Sequence, residues 1–328
     1  MDNIRLGTIG SGAIVHSILD AVQKTEGISL EAVYSRTAEK GRELAQEYGA
    51  DKVYTKLEDM LADDGLNFIY IASPNNLHYQ YSKAALLAGK NVICEKPFCT
   101  ELKQAEELFK IAEEKGLILV EAVPTSFLPN FAVLREAVGR IGKIKLVLGN
   151  YTQYSARYDK LLSGELPNVF NPAFAGGCLM DINYYNVYLT LALFGMPENA
   201  VYYPNMHGGV DTSGSMVMVY PGFVASLAGA KDCRGESFYQ IEGEEGCIYI
   251  KDGSNGLKEI RTVNGEIDET VNLQPNPDRW YYEIQSLVPI LLREDKEELD
   301  IRKELTLKQV AVVEQARKAA GIIFPDDE

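Results

Sequence analysis

The chain has 328 residues, 46% of them hydrophobic and 24% charged, as in a soluble globular protein of about two domains. Its net charge of −15 argues against nucleic acid as a partner, because no basic stripe is available to displace counterions from a phosphate backbone. The sequence contains no basic-then-apolar leader, no apolar run long enough to span a bilayer and no CxxC pair. We therefore expect a cytoplasmic protein with reduced thiols, no membrane contact and, because its three histidines lie far apart, no metal site.

The first predicted elements are a buried strand over residues 4–9, a glycine turn and a helix that begins at Ala13. Glycine lets the backbone approach a phosphate closely, and the first N–H groups of a helix point toward the anion. Gly10 would make the tight turn and Gly12 would leave room for a pyrophosphate. Val15 stands where the dinucleotide fingerprint has a third small residue, so a plain tight turn remains an alternative. The residues expected at the pyrophosphate are Gly10, Ser11, Gly12, Ala13 and Ile14.

A second strand is predicted over residues 28–34, and the residues after it bear on the choice of nucleotide. An NAD site usually has an acidic residue here that accepts the ribose 2′-hydroxyl, but this chain has Ser35, Arg36 and Thr37. Two hydroxyls and a guanidinium suit a 2′-phosphate, so we expect NADP, with NAD as second choice. Thr37 would also cap the next helix. Alternatively, Arg36 is a solvated surface charge or stacks on an adenine.

Helices and short apolar strands then alternate, which implies right-handed βαβ units and a parallel sheet. Helices are predicted at 38–48, 57–62, 79–88 and 101–115, and strands at 52–54, 68–71, 91–94 and 117–120. Ligands of open α/β sheets bind beyond the carboxyl ends of the strands. Two segments should therefore face the cofactor, the loop Ser73-Pro74-Asn75-Asn76-Leu77-His78 and the turn Glu95-Lys96-Pro97.

The order Gly-x-Gly, Ser-Pro-Asn-x-Leu-His and Glu-Lys-Pro resembles the Gfo/Idh/MocA family of nicotinamide-dependent oxidoreductases. The resemblance implies a dinucleotide-binding Rossmann domain over 1–122. It also implies an α/β domain with a large, open, mostly antiparallel sheet over 123–328, for substrate binding and oligomerisation.

The same resemblance assigns roles to the two loops. Lys96 would contact the substrate oxygen, Glu95 and Pro97 would hold its turn, and the Lys96–Pro97 bond is a candidate for the cis form. The loop that would pack near the nicotinamide contains Ser73, Pro74, Asn75 and His78. Without the resemblance, the plain alternatives are that Asn75 does no more than stabilise a turn and that His78 does no more than start a helix.

The segment from Gly176 to Tyr185, GGCLMDINYY, enters a predicted helix that ends at Phe194. Asp181 and Tyr185 are four residues apart and so share a helical face. The segment resembles the family's Gly-Gly-x-Leu-x-Asp-x-Gly-x-His/Tyr motif. This implies that Tyr185 exchanges a proton, which a phenol gives up more readily beside an ammonium, and that Asp181 binds a substrate hydroxyl or orients the pair.

Several features leave the substrate open. A tyrosine-rich core helix is the plain alternative for the segment around Tyr185, and Asn183 in place of the motif glycine would narrow the pocket. In its motifs the chain most resembles two branches of the family, the dihydrodiol dehydrogenase branch and the glucose-fructose oxidoreductase-like branch. It departs from the first at Pro124 and Ser126, where dihydrodiol dehydrogenases usually have Trp and Arg.

The remainder of the second half is predicted to be a polar loop over 157–174 that could cover the substrate, followed by β-rich sequence over 201–273. In residues 215–220 both alternating sets of side chains are largely apolar, so both faces of that strand should be covered. The predicted helices 130–138, 181–194, 280–292 and 305–320 could cover one face. A second subunit should cover the other, in a homodimer or homotetramer.

Together these features favour an NADP-dependent dehydrogenase or reductase that acts on a carbinol or carbonyl of a sugar, polyol or diol, with Lys96, Asp181 and Tyr185 as catalytic residues. This requires the Lys96 ammonium and the Tyr185 phenol to reach one substrate. Two alternatives stay open. One is a dinucleotide-sensing binding protein without turnover, and the other is sugar cleavage through transient oxidation with tightly bound NAD.

Overall fold

A computed structural model describes residues 2–265, 267–325 and 327 of the chain. They form two compact units, Met1–Val123 with Asp278–Leu307, and Pro124–Pro277 with Lys308–Glu328. Within the described ranges, no helix combines the length and the apolar character needed to cross a membrane.

The helices, in chain order, are α1 (Ala13–Val22), α2 (Ala38–Tyr48), α3 (Leu57–Leu61), α4 (His78–Leu87), α5 (Leu102–Lys115), α6 (Pro129–Val138), α7 (Ala156–Leu162), α8 (Tyr184–Phe194), α9 (Arg279–Arg293) and α10 (Lys296–Ala319). The strands are β1 (Ile4–Ile9), β2 (Ile28–Tyr34), β3 (Lys52–Tyr54), β4 (Phe68–Ile71), β5 (Asn91–Glu95), β6 (Leu119–Ala122), β7 (Ile144–Thr152), β8 (Asn199–His207), β9 (Val210–Tyr220), β10 (Phe223–Ala230), β11 (Phe238–Gly243), β12 (Cys247–Lys251), β13 (Glu259–Asn264) and β14 (Ile267–Val271).

The first unit is built on a parallel sheet with the strand order β3-β2-β1-β4-β5-β6. All four residues of β4 are buried, as expected for a central parallel strand covered by helices on both faces. The strand order reverses between β1 and β4, which is where sheets of this kind bind their ligands. The prediction of a doubly wound Rossmann sheet is confirmed.

Helix α9 follows the second unit in the chain but packs against α1 of the first. The side-chain amide of Gln285 donates to the carbonyl oxygen of Lys24 over 2.9 Å, and a Cβ atom on Gly27 would lie only 2.8 Å from Leu292. The sequence prediction assigned residues 278–307 to the domain 123–328, whereas in the structure they group with the first unit. An amphipathic pattern shows that a helix has a core-facing side, but not which core that side joins.

The second unit contains an eight-stranded sheet in the order β14-β13-β12-β11-β7-β10-β9-β8. Neighbouring strands run antiparallel except for β7 and β10, which pair in parallel. The predicted large, mostly antiparallel sheet is thus confirmed. One face packs on α8, where the hydroxyls of Tyr239 and Thr190 lie 2.7 Å apart.

The other face of this sheet is only partly covered by the chain itself. On β9, Met216 and Met218 are fully buried, whereas Val217 and Val219 point to the opposite face and are partly exposed. Tyr203 on β8 is 64% exposed. The described chain therefore covers one face of the apolar run 215–220 and leaves apolar side chains on the other.

Residues 157–174, predicted as a polar loop, contain most of helix α7 and two short 3₁₀ turns. Ser155 caps α7 by accepting a hydrogen bond from the backbone N–H of Arg157. Leu161, Phe170 and Val210 form a small apolar cluster beneath the segment. The polar composition hid the helix because few of its side chains face inward.

Candidate active site

The loop between β1 and α1 leaves the first turn of the helix open. Gly10 has φ of +125°, and a Cβ atom there would overlap the carbonyl oxygen of Ala72, so only glycine fits. A Cβ atom on Gly12 would meet nothing within 4 Å, and both Ser11 and Ala13 are exposed. In the part of the chain that the structure describes, no side chain caps α1 at Gly12. The N–H groups of this turn fit a pyrophosphate group.

Val15 fills the third position of the glycine fingerprint. It is fully buried and packs with Leu30 and Val33 of β2, while Ile14 lies at the edge of the same cluster. The helix is thus held to the sheet by a larger side chain than usual. This departure from the glycine pattern does not close the loop at Gly12.

The residues after β2 present polar groups at the same sheet edge. Ser35 is buried, and its hydroxyl accepts a hydrogen bond from the N–H of Thr37 over 3.4 Å. Arg36 and Thr37 are exposed. Thr37 occupies the N-cap position of α2 but makes no side-chain capping bond within the described chain, so the prediction that it caps the helix is wrong. The exposed guanidinium of Arg36 fits a 2′-phosphate.

His78 ties the loop after β4 to the turn after β5. It begins α4 and is buried, with Nδ1 2.8 Å from the carbonyl oxygen of Pro97 and Nε2 2.9 Å from that of Ser73. Burial lowers the pKa of His78, so the neutral ring has a single N–H for these two carbonyls. Pro74 precedes the 3₁₀ turn Asn75–Leu77. These positions also match the plain alternatives of turn and helix start.

The turn that carries Lys96 is held from both sides. Glu95 is the buried last residue of β5, and its carboxyl group accepts a hydrogen bond from the hydroxyl of Tyr70. The Lys96–Pro97 peptide bond is cis, as predicted. Lys96 itself is partly exposed at the carboxyl end of β5. Tyr70 therefore holds the side chain of the residue before this lysine, and His78 holds the backbone carbonyl of Pro97, the residue after it.

A second buried acid lies close to Glu95. Glu283 of α9 is fully buried, and neither of its carboxyl oxygens has a hydrogen-bond partner among the described residues. Burial, together with the negative charge of Glu95, raises the pKa of Glu283 well above its usual range, against the opposing charge of Arg279. Burial therefore favours the neutral form of the Glu283 carboxyl group over the charged form.

In the second unit, the helix that carries the predicted site residues begins with a π-helical turn, Leu179–Asn183, before α8. Gly177 has φ of +128°, and a Cβ atom there would overlap Oδ1 of Asp211. The other carboxyl oxygen of Asp211 accepts hydrogen bonds from the N–H of Leu179 over 2.7 Å and from the hydroxyl of Tyr202 over 2.8 Å. A buried carboxyl group thus fixes the entry to the helix.

Asp181 and Tyr185, the two predicted catalytic residues of this unit, differ in exposure. The Asp181 side chain is 32% exposed and forms an ion pair with Lys231, whose side chain is only 7% exposed. Tyr185 is nearly buried, and its ring packs at a tilt against Tyr151 with the centroids 6.0 Å apart. The unit therefore presents a carboxylate and an ammonium as a pair, and a phenol held by a second phenol.

Asn183 does not act as the sequence suggested. It is fully buried, donates to the carbonyl oxygen of Leu227 over 3.0 Å and accepts from the side-chain amide of Asn186. A Cβ atom on Gly229 would lie 2.7 Å from the Cβ of Asn183. The side chain is therefore directed into the packing against β10, so the expectation that it narrows a pocket is wrong.

Among the buried ionisable residues that sequence reasoning missed, Lys231, Asp211 and Glu283 lie close to predicted site residues or to the elements that carry them. A signal existed for the first, because Lys231 ends the apolar run of β10 just as Lys96 follows β5. Asp211 stands at the start of an apolar strand, where a charged residue is unusual. Glu283 had no signal, since one glutamate in an amphipathic helix usually faces water.

A Rossmann sheet with an open, glycine-lined helix start defines the first unit as a dinucleotide-binding domain. Two family models match the chain, "Oxidoreductase family, NAD-binding Rossmann fold" over residues 4–123 and "GFO/IDH/MocA C-terminal domain" over residues 132–249. The chain is 35% identical over 328 residues to scyllo-inositol 2-dehydrogenase (NADP(+)) IolU of Bacillus subtilis, covering 99% of each. The chain thus belongs to the GFO/IDH/MocA family of oxidoreductases, which confirms the resemblance seen in its motifs.

Other relatives are similar over most or all of the chain. D-xylose 1-dehydrogenase (NADP(+)) 2 of Haloferax volcanii is 31% identical over 76% of this chain and 75% of its own. Trans-1,2-dihydrobenzene-1,2-diol dehydrogenase of Mus musculus is 27% identical over 99% of each. The crystal structure of KijD10, a 3-ketoreductase from Actinomadura kijaniata in complex with NADP and TDP-benzene, superposes with a TM-score of 0.85 at 22% identity, covering 96% of this chain and 97% of its own. That last likeness shows the fold.

Proposed function

We propose that this protein is an NADP-dependent dehydrogenase or reductase that acts on a CH–OH group, or the corresponding carbonyl, of a sugar, polyol or diol. The observation that carries the proposal is the open start of α1 at Gly12. Relatives named as dehydrogenases of an inositol, of xylose and of a dihydrodiol support the reaction class.

The cofactor follows from the residues after β2. Arg36 is exposed, and the sequence has no acidic residue between the end of β2 and Glu39 of α2. A 2′-phosphate at this position would therefore gain a cationic partner. Relatives named for NADP(+) agree with the sequence prediction of NADP over NAD. When bound, the nicotinamide cofactor accepts or supplies the hydride. The residues that we assign to hold it are Gly10, Ser11, Gly12, Ala13, Ile14, Ser35, Arg36, Thr37, Ser73, Pro74, Asn75, His78, Glu95 and Lys96.

Three side chains of the protein would do the remaining chemistry. The ammonium of Lys96 would bind the reacting oxygen of the substrate and stabilise negative charge on it. The phenol of Tyr185 would hold or take the proton at that oxygen, acting as a general acid or base. The carboxylate of Asp181 would accept a hydrogen bond from a substrate hydroxyl. The first unit would thus hold the cofactor and contribute Lys96, and the second would contribute Tyr185 and Asp181.

The second unit would also mediate assembly. Its sheet exposes apolar side chains on the face opposite α8, among them Tyr203, Val224 and Tyr249. A patch of this kind on a sheet is typical of a surface that meets another subunit. The chain itself covers one apolar set of β9. A homodimer or homotetramer formed through the open face would cover the other set.

A cofactor titration followed by a substrate screen tests the proposal. NADPH and NADH are titrated against the protein by nicotinamide fluorescence, and aldoses, ketoses, inositols and diols are then screened for reduction of NADP+. We expect tighter binding of NADPH and turnover of a hydroxylated compound. Binding of NADPH without turnover of any of these would instead favour a dinucleotide-sensing protein, and better binding of NADH would contradict the cofactor assignment.

A further inference from the structure

Lys231 is held rigidly at the end of a strand of the second unit. It directly follows β10, and its backbone N–H donates to the carbonyl oxygen of Thr212 over 2.9 Å. Its own carbonyl oxygen accepts from the N–H of Ser155 over 2.9 Å. The backbone of Lys231 is thus fixed on both sides, so its side chain starts from a defined position.

The side chain of Lys231 is enclosed, and its charge is met by one carboxylate. It forms the ion pair with Oδ2 of Asp181, and its Nζ lies 5.7 Å from the centroid of the buried Phe170 ring. A buried ammonium without an opposite charge is costly, and the carboxylate of Asp181 supplies that charge. The ring adds a weaker attraction for the cation.

The other carboxyl groups near Lys231 are engaged elsewhere. Asp211 accepts from Leu179 and Tyr202. Asp232 accepts from the hydroxyls of Thr212 and Ser213 over 2.7 and 2.9 Å. Asp181 is therefore the acid on which the Lys231 ammonium acts directly.

Two other buried cations of this chain show what purely structural pairing looks like. The ammonium of Lys90 donates hydrogen bonds to the backbone carbonyl oxygens of Asp63 and Leu66. Arg317 pairs with Asp327, and these side chains are 0% and 4% exposed. The pair of Lys231 differs, because the ammonium is buried while its carboxylate partner reaches the surface at 32% exposure. A solvent-facing carboxylate backed by a buried cation can meet a ligand.

We propose that Lys231 is a positioning residue of the substrate site, which fixes the direction of the Asp181 carboxylate so that it accepts a hydrogen bond from a substrate hydroxyl. The inference rests on the proposed function, since it gives Asp181 the role of binding substrate. Lys231 would not itself touch the reacting atoms. It would act through Asp181, and its removal would weaken substrate binding and leave cofactor binding intact.

The first test needs no turnover. The carboxyl carbon of Asp181 is followed by ¹³C NMR in protein labelled at aspartate, with the signal assigned from Asp181→Asn. In Lys231→Met the opposite charge is gone, so Asp181 should take up its proton at higher pH than in the unaltered protein, and Lys231→Arg should restore the original titration. The groups near this pair that also titrate, Asp211, Asp232, Cys178 and Tyr185, are the same in all three proteins. An unchanged titration in Lys231→Met would overturn the proposal.

The second test is kinetic, with scyllo-inositol and D-xylose as probes and NADP+ as cofactor. Lys231→Met should raise KM about tenfold, the worth of one hydrogen bond to a charged group, with the Kd for NADPH unchanged. The double variant Lys231→Met with Asp181→Asn should be no worse than Asp181→Asn alone, because the lysine acts through that acid. Lys258→Met, which breaks the exposed pair with Asp252, is the matched control and should leave KM unchanged.

The outcomes separate the two claims. Additive losses in the double variant, or an unchanged KM in Lys231→Met, would overturn the role of Lys231 while the proposed function stands. If the unaltered protein oxidises neither probe, the substrate assignment fails for these compounds, and the NMR titration alone decides the role of Lys231.

Discussion

Gly177 and Asp211 leave no space between them, since a Cβ atom on the glycine would overlap a carboxyl oxygen of the aspartate. The same carboxyl group accepts a hydrogen bond from the N–H of Leu179, at the start of the helical segment that carries Asp181 and Tyr185. The second glycine of the Gly-Gly pair is therefore a packing requirement, because it lets the buried acid Asp211 reach the start of the helix.

Replacement of Asp211 by alanine should destabilise the second unit. The change leaves the N–H of Leu179 and the hydroxyl of Tyr202 without their buried acceptor, at a cost of about 2–4 kcal/mol in the free energy of unfolding. Urea unfolding followed by circular dichroism measures this loss. Tyr202→Phe, which removes one of the two bonds, should cost about 1 kcal/mol. Stability of Asp211→Ala equal to that of the parent would contradict the account.

Glu283→Gln should change how stability depends on pH. Because burial raises the pKa of Glu283, folding takes up a proton at pH values between the usual carboxyl pKa of 4.5 and the raised one. Stability is then highest below that window and falls as pH rises, by up to about 1.4 kcal/mol per pH unit. Glutamine binds no such proton, so the variant should gain stability relative to the parent as pH rises.

Urea unfolding at a series of pH values above the usual carboxyl pKa measures this difference, because the effect grows with pH until the raised pKa is reached. The control is Glu297→Gln, an exposed glutamate of α10. The account is wrong if the parent and Glu283→Gln keep a constant difference in stability across the range.

Arg36→Ala should change cofactor preference. A charge-assisted bond to a 2′-phosphate is worth about 1.5–3 kcal/mol, so the Kd for NADPH should rise about 10- to 100-fold. The Kd for NADH should stay the same, because NADH lacks that phosphate. Fluorescence titration of both cofactors gives the comparison, with Arg42→Ala in the exposed part of α2 as control. Equal losses for both cofactors would assign Arg36 to the adenine instead.

Val224→Lys should weaken assembly if the open sheet face is the interface. Val224 is 37% exposed and lies on β10 beside the central strand β7. A buried, unpaired ammonium at an interface is strongly unfavourable, so light scattering should show a smaller species than for the parent. Leu162→Lys on α7, where the parent side chain is 56% exposed, is the control. An unchanged mass for Val224→Lys would place the interface elsewhere.

The strands and helices of the Rossmann unit were predictable because their signals are local. Gly10 must be glycine for the turn, and the fully apolar β4 can only be a central strand. The site loops followed from the rule that strand ends in a parallel sheet share one edge. The motif resemblance then added Lys96, Asp181 and Tyr185.

The features that were missed depend on packing across long sequence distances. Lys231 gains its meaning from Asp181, which lies 50 residues earlier. Asn183 was expected at a pocket, but its side-chain amide donates a hydrogen bond to the backbone of β10. No local sequence pattern indicates such a contact. Helix α9 shows an ordinary amphipathic pattern, so its return to the first unit could not be read from residues 278–307 alone.

The central claim is that Lys96 acts in the chemical step. The most direct test compares Lys96→Met with the control Lys110→Met, an exposed lysine of α5, in steady-state turnover and in NADPH titration. We predict that Lys96→Met loses turnover by about 1,000-fold, as expected when a group that stabilises developing charge is removed. Its Kd for NADPH should rise far less than this, because Lys96 is only one of many residues assigned to the cofactor. Full turnover by Lys96→Met would contradict the account.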